Sequence, residues 1–97
     1  MIVVREVFQL DYGKAREAIA LAKEMIRAVP GGGSTPRLLT DAVGRYYTLI
    51  METDYESLGA FEQALAQEFS EGGIGDLNKR FVPLVMEGRR EIYRVVE

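Results

Sequence analysis

Glu6 sits in the middle of an apolar run, Ile2-Val-Val-Arg-Glu-Val-Phe-Gln-Leu10, with Arg5 before it and Val7 after it. Burial disfavours the charged form of a carboxyl group, and a carboxyl with a raised pKa can act as a general base. The competing reading is an ion pair on a sheet, with Arg89, Arg90 or Arg94 or with a second chain. Tyr46 and Tyr47 offer phenolic hydroxyls to a ligand carbonyl or phenol, or else fill a core or interface with the hydroxyl satisfied. Met51 and Met86 supply pliable surface, either as pocket lining or as gap-fillers. Asn78 is the only asparagine. Its amide can orient a substrate or stand at a helix start. Glu6, Tyr46, Tyr47, Met51 and Asn78 are therefore the candidate ligand-binding residues, and no residue is assigned a catalytic role.

Composition removes several chemistries. The chain of 97 residues has no Cys, no His and no Trp. Structural zinc, disulfide scaffolds, catalytic cysteine, the Ser-His-Asp triad and His- or Cys-ligated haem all need residues it lacks. The carboxylates Asp54, Glu56, Glu68, Glu71 and Asp76 are spread along the chain rather than clustered, so they read as a solvated face and not as a calcium or magnesium site. Neither a metal nor a cofactor is expected.

Charge narrows the partners. The net charge is −3, from 12 Lys+Arg against 15 Asp+Glu. Residues 46–78 contain acidic side chains and no Lys or Arg. The basic concentration Arg89-Arg90-x-x-x-Arg94 alternates with Glu87 and Glu91, a pattern of cross-strand ion pairing on an exposed sheet face. Nucleic acid binding needs a net positive surface, so it is not expected. No apolar stretch approaches the ~20 residues of a membrane span. The opening residues reach Arg5 and Glu6 too soon for a signal peptide. A cytoplasmic location is the expectation, and the absence of cysteine fits it.

The elements that must position these residues follow from hydrophobic period. Residues 2–10 are rich in β-branched and aromatic types and read as a strand. Residues 13–29 switch to a helical period, with Ala15, Ile19, Ala22, Ile26 and Val29 on one stripe and Ala18 and Met25 beside it. Residues 30–36, Pro-Gly-Gly-Gly-Ser-Thr-Pro, form a flexible connector; phosphate-binding glycines would precede a helix rather than follow one. Residues 37–43 and 45–53 make two strands of a hairpin, with its tip at residues 41–44. Thr53-Asp-Tyr-Glu56 has the spacing of a capping box. It opens a second helix running to about Ser70, with the stripe Leu58, Phe61, Leu65 and Phe69. A shorter helix over residues 76–85 presents Leu77, Phe81 and Leu84, with Pro83 near its end. Residues 87–96 form the last strand.

The order is β-α-β-β-α-(α)-β. Each helix has one apolar stripe, and all need the same sheet face to cover. Right-handed connections then give an α+β, ferredoxin-like fold: one domain over residues 1–97, with a four-stranded antiparallel sheet and the helices on one side. The first, third and fourth strands also carry apolar residues on the face away from the helices. A second copy of the chain is the simplest cover for that face.

The pattern resembles the dimeric α+β barrel superfamily, and within it the NIPSNAP-like and antibiotic-biosynthesis-monooxygenase-like small proteins. The resemblance lies in Asp11-Tyr-Gly-Lys14 at the helix start, in Tyr46-Tyr-Thr-Leu-Ile-Met-Glu-Thr53 running into Asp54-Tyr-Glu-Ser-Leu-Gly-Ala-Phe61, and in the closing Glu87-Gly-Arg-Arg-Glu-Ile-Tyr93. It implies two sheets packed face to face in a homodimer, with a ligand pocket between sheet and helices of each subunit. The His and Trp that members use for haem binding or oxygenation are missing here, so the resemblance carries the fold and not a mechanism. Three functions follow as expectations. One is a binding protein for a small apolar or aromatic ligand. The second is a cofactor-independent monooxygenase acting on a phenol or quinol, and the third is a structural dimerisation module.

Overall fold

A computed structural model describes residues 1–28, 33–70 and 74–97 of the chain, without the side chains of residues 69 and 70. The element order is β1 (Ile2–Leu10), α1 (Ala15–Ala28), β2 (Arg37–Thr40), β3 (Thr48–Tyr55), α2 (Leu58–Ser70), α3 (Ile74–Phe81), a 3₁₀ turn (Val82–Leu84) and β4 (Val85–Arg94). The strands form one sheet in the order β2-β3-β1-β4, with every neighbouring pair antiparallel. This is the expected ferredoxin-like α+β arrangement.

Strand alternation gives the sheet two faces of different chemistry. One carries Ile2, Val4, Glu6, Phe8 and Leu10 from β1 and Leu49, Met51, Thr53 and Tyr55 from β3, as the pairs Phe8↔Leu49 and Val4↔Thr53 require. It meets the helices. Leu10, Ala18, Leu21, Ala22, Leu49, Phe81 and Leu84 make the main core between them. Ile2, Val4 and Phe61 make a second, smaller cluster. Leu21, which the helical stripe omits, is buried, while Phe69 and Val29 lie outside the described side chains.

The other face is more polar than the sequence implies. Val7 is buried there, with Leu39 and Ile50 half-buried in the same row. Beside that row the charges pair. Arg5 lies 3.3 Å from Glu52 and 3.7 Å from Glu91, Arg89 lies 2.7 Å from Glu91, and Arg37 also pairs with Glu52. The Nε of Arg5 is buried and makes no hydrogen bond of good geometry.

Several boundaries move. β2 stops at Thr40 and β3 starts at Thr48, so the hairpin connection spans residues 41–47 and takes Tyr46 and Tyr47 out of the strand. Tyr47 has φ of 58°, a backbone conformation no strand tolerates. The Thr48 N–H bonds to the Asp41 carboxylate at 3.1 Å, closing the connection. At the other end β3 continues through Thr53 and Tyr55, so Thr53 is a ladder residue and not a helix cap. Ser57 caps α2 instead, its Oγ accepting from the Ala60 N–H at 3.1 Å. Pro83 falls in the 3₁₀ turn, where its missing N–H breaks no helical bond.

Candidate functional site

Between the helix-facing side of the sheet and the helices lies a cavity of about 970 Å³. This is at the upper end of the roughly 300–1,000 Å³ usual for ligand pockets. Its floor is three rows of the sheet. Register places Met51, Glu6 and Arg90 side by side in the middle row, flanked by the rows of Val4 and Phe8. Gly88 stands opposite Phe8, where a Cβ would come within 3.2 Å of the ring. Phe8 in turn meets Phe81 edge-to-face, with ring centroids 5.0 Å apart. Ala22, Met25 and Ile26 of α1 and Phe61, Ala64 and Leu65 of α2 supply apolar walls.

The polar groups converge from four elements, β1, β3, β4 and α2. Arg90 Nε donates to Glu6 Oε1 at 2.5 Å, across adjacent strands. The Arg90 guanidinium also lies over the Phe61 ring, 5.1 Å from its centroid, and Tyr55 packs against the same ring at 5.4 Å. Glu68 comes from α2 and is half-buried in the cavity wall. Burial raises its pKa above the ordinary carboxylate value; the Glu6 carboxylate adds to the rise and Arg90 opposes it. The Tyr55 hydroxyl is raised as well, first by burial and then by Glu68 and Glu6. Among the described residues Glu68 has no salt bridge and no hydrogen bond to its carboxylate. The cavity thus joins an internally neutralised pair, Glu6–Arg90, to a carboxyl group that has no such partner among the described residues.

One border of the cavity is the stretch from Gly33 to Pro36. It is tied to β3 twice: the Ser34 N–H donates to the Asp54 carbonyl and the Asp54 N–H donates to Ser34 Oγ, both at 2.9 Å. Gly33 permits that approach, since a Cβ there would lie 2.3 Å from the Asp54 carbonyl oxygen.

Of the five candidates read from the sequence, Glu6, Met51 and Asn78 line this cavity. Asn78 is exposed and stands inside α3 rather than at a helix start. Tyr46 and Tyr47 lie beyond the C-terminal end of β1, outside the cavity. Their carbonyls accept from Gln9 Nε2 and the Leu10 N–H, and their rings group with Tyr12. The pairing proposed for Glu6 with one of three arginines is made with Arg90, whose side chain faces the helices and not the outer face. Sequence reasoning missed Tyr55 and Glu68 as cavity residues. Both had a signal: Tyr55 shares strand parity with Met51, and Glu68 falls seven residues after Phe61 on the helical stripe. Among the described residues no three Asp or Glu converge on a point that would hold a metal ion.

No protein-family model matches the chain, and no curated protein matches it significantly. Solved structures do. A NIPSNAP family protein from Agrobacterium tumefaciens superposes with a TM-score of 0.87 at 19% identity, over 99% of this chain and 86% of the other. An uncharacterised NIPSNAP domain protein from Burkholderia xenovorans gives 0.82 at 14% identity, over 99% and 95%. A variant of SnoaB, a cofactor-independent oxygenase from Streptomyces nogalater, gives 0.75 at 15% identity, over 99% and 93%. Antibiotic-biosynthesis-monooxygenase-like proteins align at similar scores. The chain therefore has the fold shared by NIPSNAP-domain proteins and antibiotic-biosynthesis-monooxygenase-like proteins, the group its sequence pattern resembles.

Proposed function

We propose that the chain is a homodimeric ligand-binding protein of the cytoplasm, one domain per subunit, that takes a small apolar or aromatic molecule between its sheet and helices. The cavity of about 970 Å³ carries this reading, because α1 and α2 give it apolar walls and the polar side chains of Glu6, Tyr55, Glu68 and Arg90 converge between them. Glu6, Met51 and Asn78 contact the ligand, with Tyr55, Glu68 and Arg90 beside them. Saturable enhancement of N-phenyl-1-naphthylamine fluorescence, with one site per chain, is the expected result. Ala64→Trp, which puts an indole into the cavity wall, should reduce it at least tenfold. A dye signal that does not saturate, or that Ala64→Trp leaves unchanged, would remove the ligand-binding role and leave a structural dimerisation module.

The dimer is supported by surface area. The chain exposes 6591 Å². A monomeric protein of 10.9 kDa is expected to expose about 5,600 Å². The surplus, about 1,000 Å², is comparable with the roughly 800 Å² that each partner buries in a standard interface. The outer sheet face is the natural place for it, since Val7, Ile50 and Leu39 form an apolar row there among paired charges.

One observation favours an enzymatic reading alongside binding. Glu68 is a half-buried carboxyl with a raised pKa in the same cavity as Tyr55. Such a group can take the proton of a phenol or quinol, and the electron-rich anion left behind can react with molecular oxygen without a metal. Oxygen uptake by the protein with naphthohydroquinone, above the buffer rate and abolished in Glu68→Gln, is the expected result of that reading. Uptake equal to the buffer rate would refute it.

A further inference from the structure

The charges lining the cavity are unbalanced. Among the described lining residues Glu6, Glu68 and Asp76 are acidic and Arg90 is the only base. The Arg90 charge is already engaged by Glu6 at 2.5 Å on one side and by the Phe61 ring on the other. No free cation therefore remains on the described lining to receive an anionic ligand. Glu68, by contrast, has no salt bridge or hydrogen bond to its carboxylate among the described residues, and is half withdrawn from water. Leaving a charge in that state is unfavourable, and an opposite charge delivered within a few ångströms relieves it. The surroundings of Glu68 are also suited to the body of such a ligand: Leu65 and Phe61 lie one and two turns earlier on α2, and Tyr55 faces the same space.

We propose that the cavity selects ligands with an apolar, ring-bearing body and one protonated amine, and that Glu68 is the residue that sets this preference. The inference rests on the ligand-binding reading above and specifies the charge of its ligand. Glu68 receives the ammonium group by a charge-assisted hydrogen bond, and the Glu6–Arg90 pair stays closed. A carboxylate on the same body would face Glu68 and Asp76 with no cation to offset them.

Three probes of one shape separate the possibilities: 2-(1-naphthyl)ethylamine, 2-(1-naphthyl)ethanol and 1-naphthaleneacetate, each titrated against the full chain by calorimetry at pH 7. The amine is expected to bind roughly tenfold more tightly than the alcohol, and the acetate more weakly than either, as partly screened charge pairs allow. In Glu68→Gln the ratio of amine to alcohol affinity should fall to about one, whatever happens to the alcohol's own affinity. Helical circular dichroism equal to that of the parent chain checks that the variant is folded. If the alcohol binds but the amine is no tighter, or if its advantage survives in Glu68→Gln, the charge selection is wrong and the cavity reading stands. If none of the three binds, the cavity reading fails and this inference with it.

Discussion

A carboxyl half removed from water, beside a second carboxyl already held by an arginine, binds its proton more tightly in the folded chain than in the unfolded one. Glu68 is in that position, and the consequence for stability has a definite sign. Its folded pKa is raised above the ordinary 4.5. Its favourable contribution is therefore complete below pH 4.5 and is lost as pH rises through the raised value. Glu91 behaves in the opposite way. Hydrogen bonds from Arg89 and Tyr93 lower its pKa, so its contribution is present above pH 4.5 and is lost on acidification. Glu68→Gln titrates nowhere in this range. Its urea midpoint is expected to rise relative to the parent chain between pH 4.5 and 8; a constant difference across that range would show that Glu68 is not perturbed. Glu6 shows how far residue types alone can be read. Its place among valines pointed to either a base or an ion pair, and strand register decided for a pair with Arg90. Glu68 was legible only through helical spacing, because a Glu in an acidic stretch ordinarily reads as solvated surface.

Among the elements, those with one dominant period were readable and the junctions were not. β1 follows directly from its run of β-branched and aromatic residues, and the body of α1 from the three-to-four-residue stripe. The β2–β3 connection did not, because Arg45-Tyr46-Tyr47 has the composition of a strand while one local and one long-range hydrogen bond hold it in a turn. Thr48 Oγ1 donates to the Arg45 carbonyl at 2.8 Å, and the Tyr47 carbonyl accepts the Leu10 N–H at 2.9 Å. The Thr53-x-x-Glu56 spacing misled for the opposite reason: a local capping pattern lost to the ladder that pairs Val4 with Thr53. The cavity border at Gly33 was likewise invisible, since the glycine is needed by a contact with a residue 21 positions away. That contact is testable. Gly33→Ala must push the strand or the connector aside and is expected to cost about 1–3 kcal/mol. Ser34→Ala, which loses one hydrogen bond, should cost about 1 kcal/mol. Equal midpoints for parent and Gly33→Ala in urea would mean that the connector yields freely.

At the scale of the whole molecule, one layer of helices on one layer of sheet gives a slab of 36 × 34 × 18 Å. A slab buries one side of its sheet by itself and leaves the other to charges and to partners. The proposed dimer makes a direct prediction. Light scattering at micromolar concentration should report twice the 10.9 kDa of the chain. Ile50→Arg, in the centre of the apolar row on the outer face, should halve that mass without loss of helical circular dichroism. A monomer in the parent chain would overturn the assembly.

The sheet order has one more consequence. It leaves β4, ten residues long, as an open edge, whereas the opposite edge, β2, has only four. An edge of that length is a template on which strands of other molecules can stack without limit. Five of its ten residues, Glu87, Arg89, Arg90, Glu91 and Arg94, are charged. Four of them, Glu87, Arg89, Arg90 and Glu91, also pair within the chain, so the same charges both tie it together and guard it against fibrous self-association, and salt that screens them would weaken both roles together.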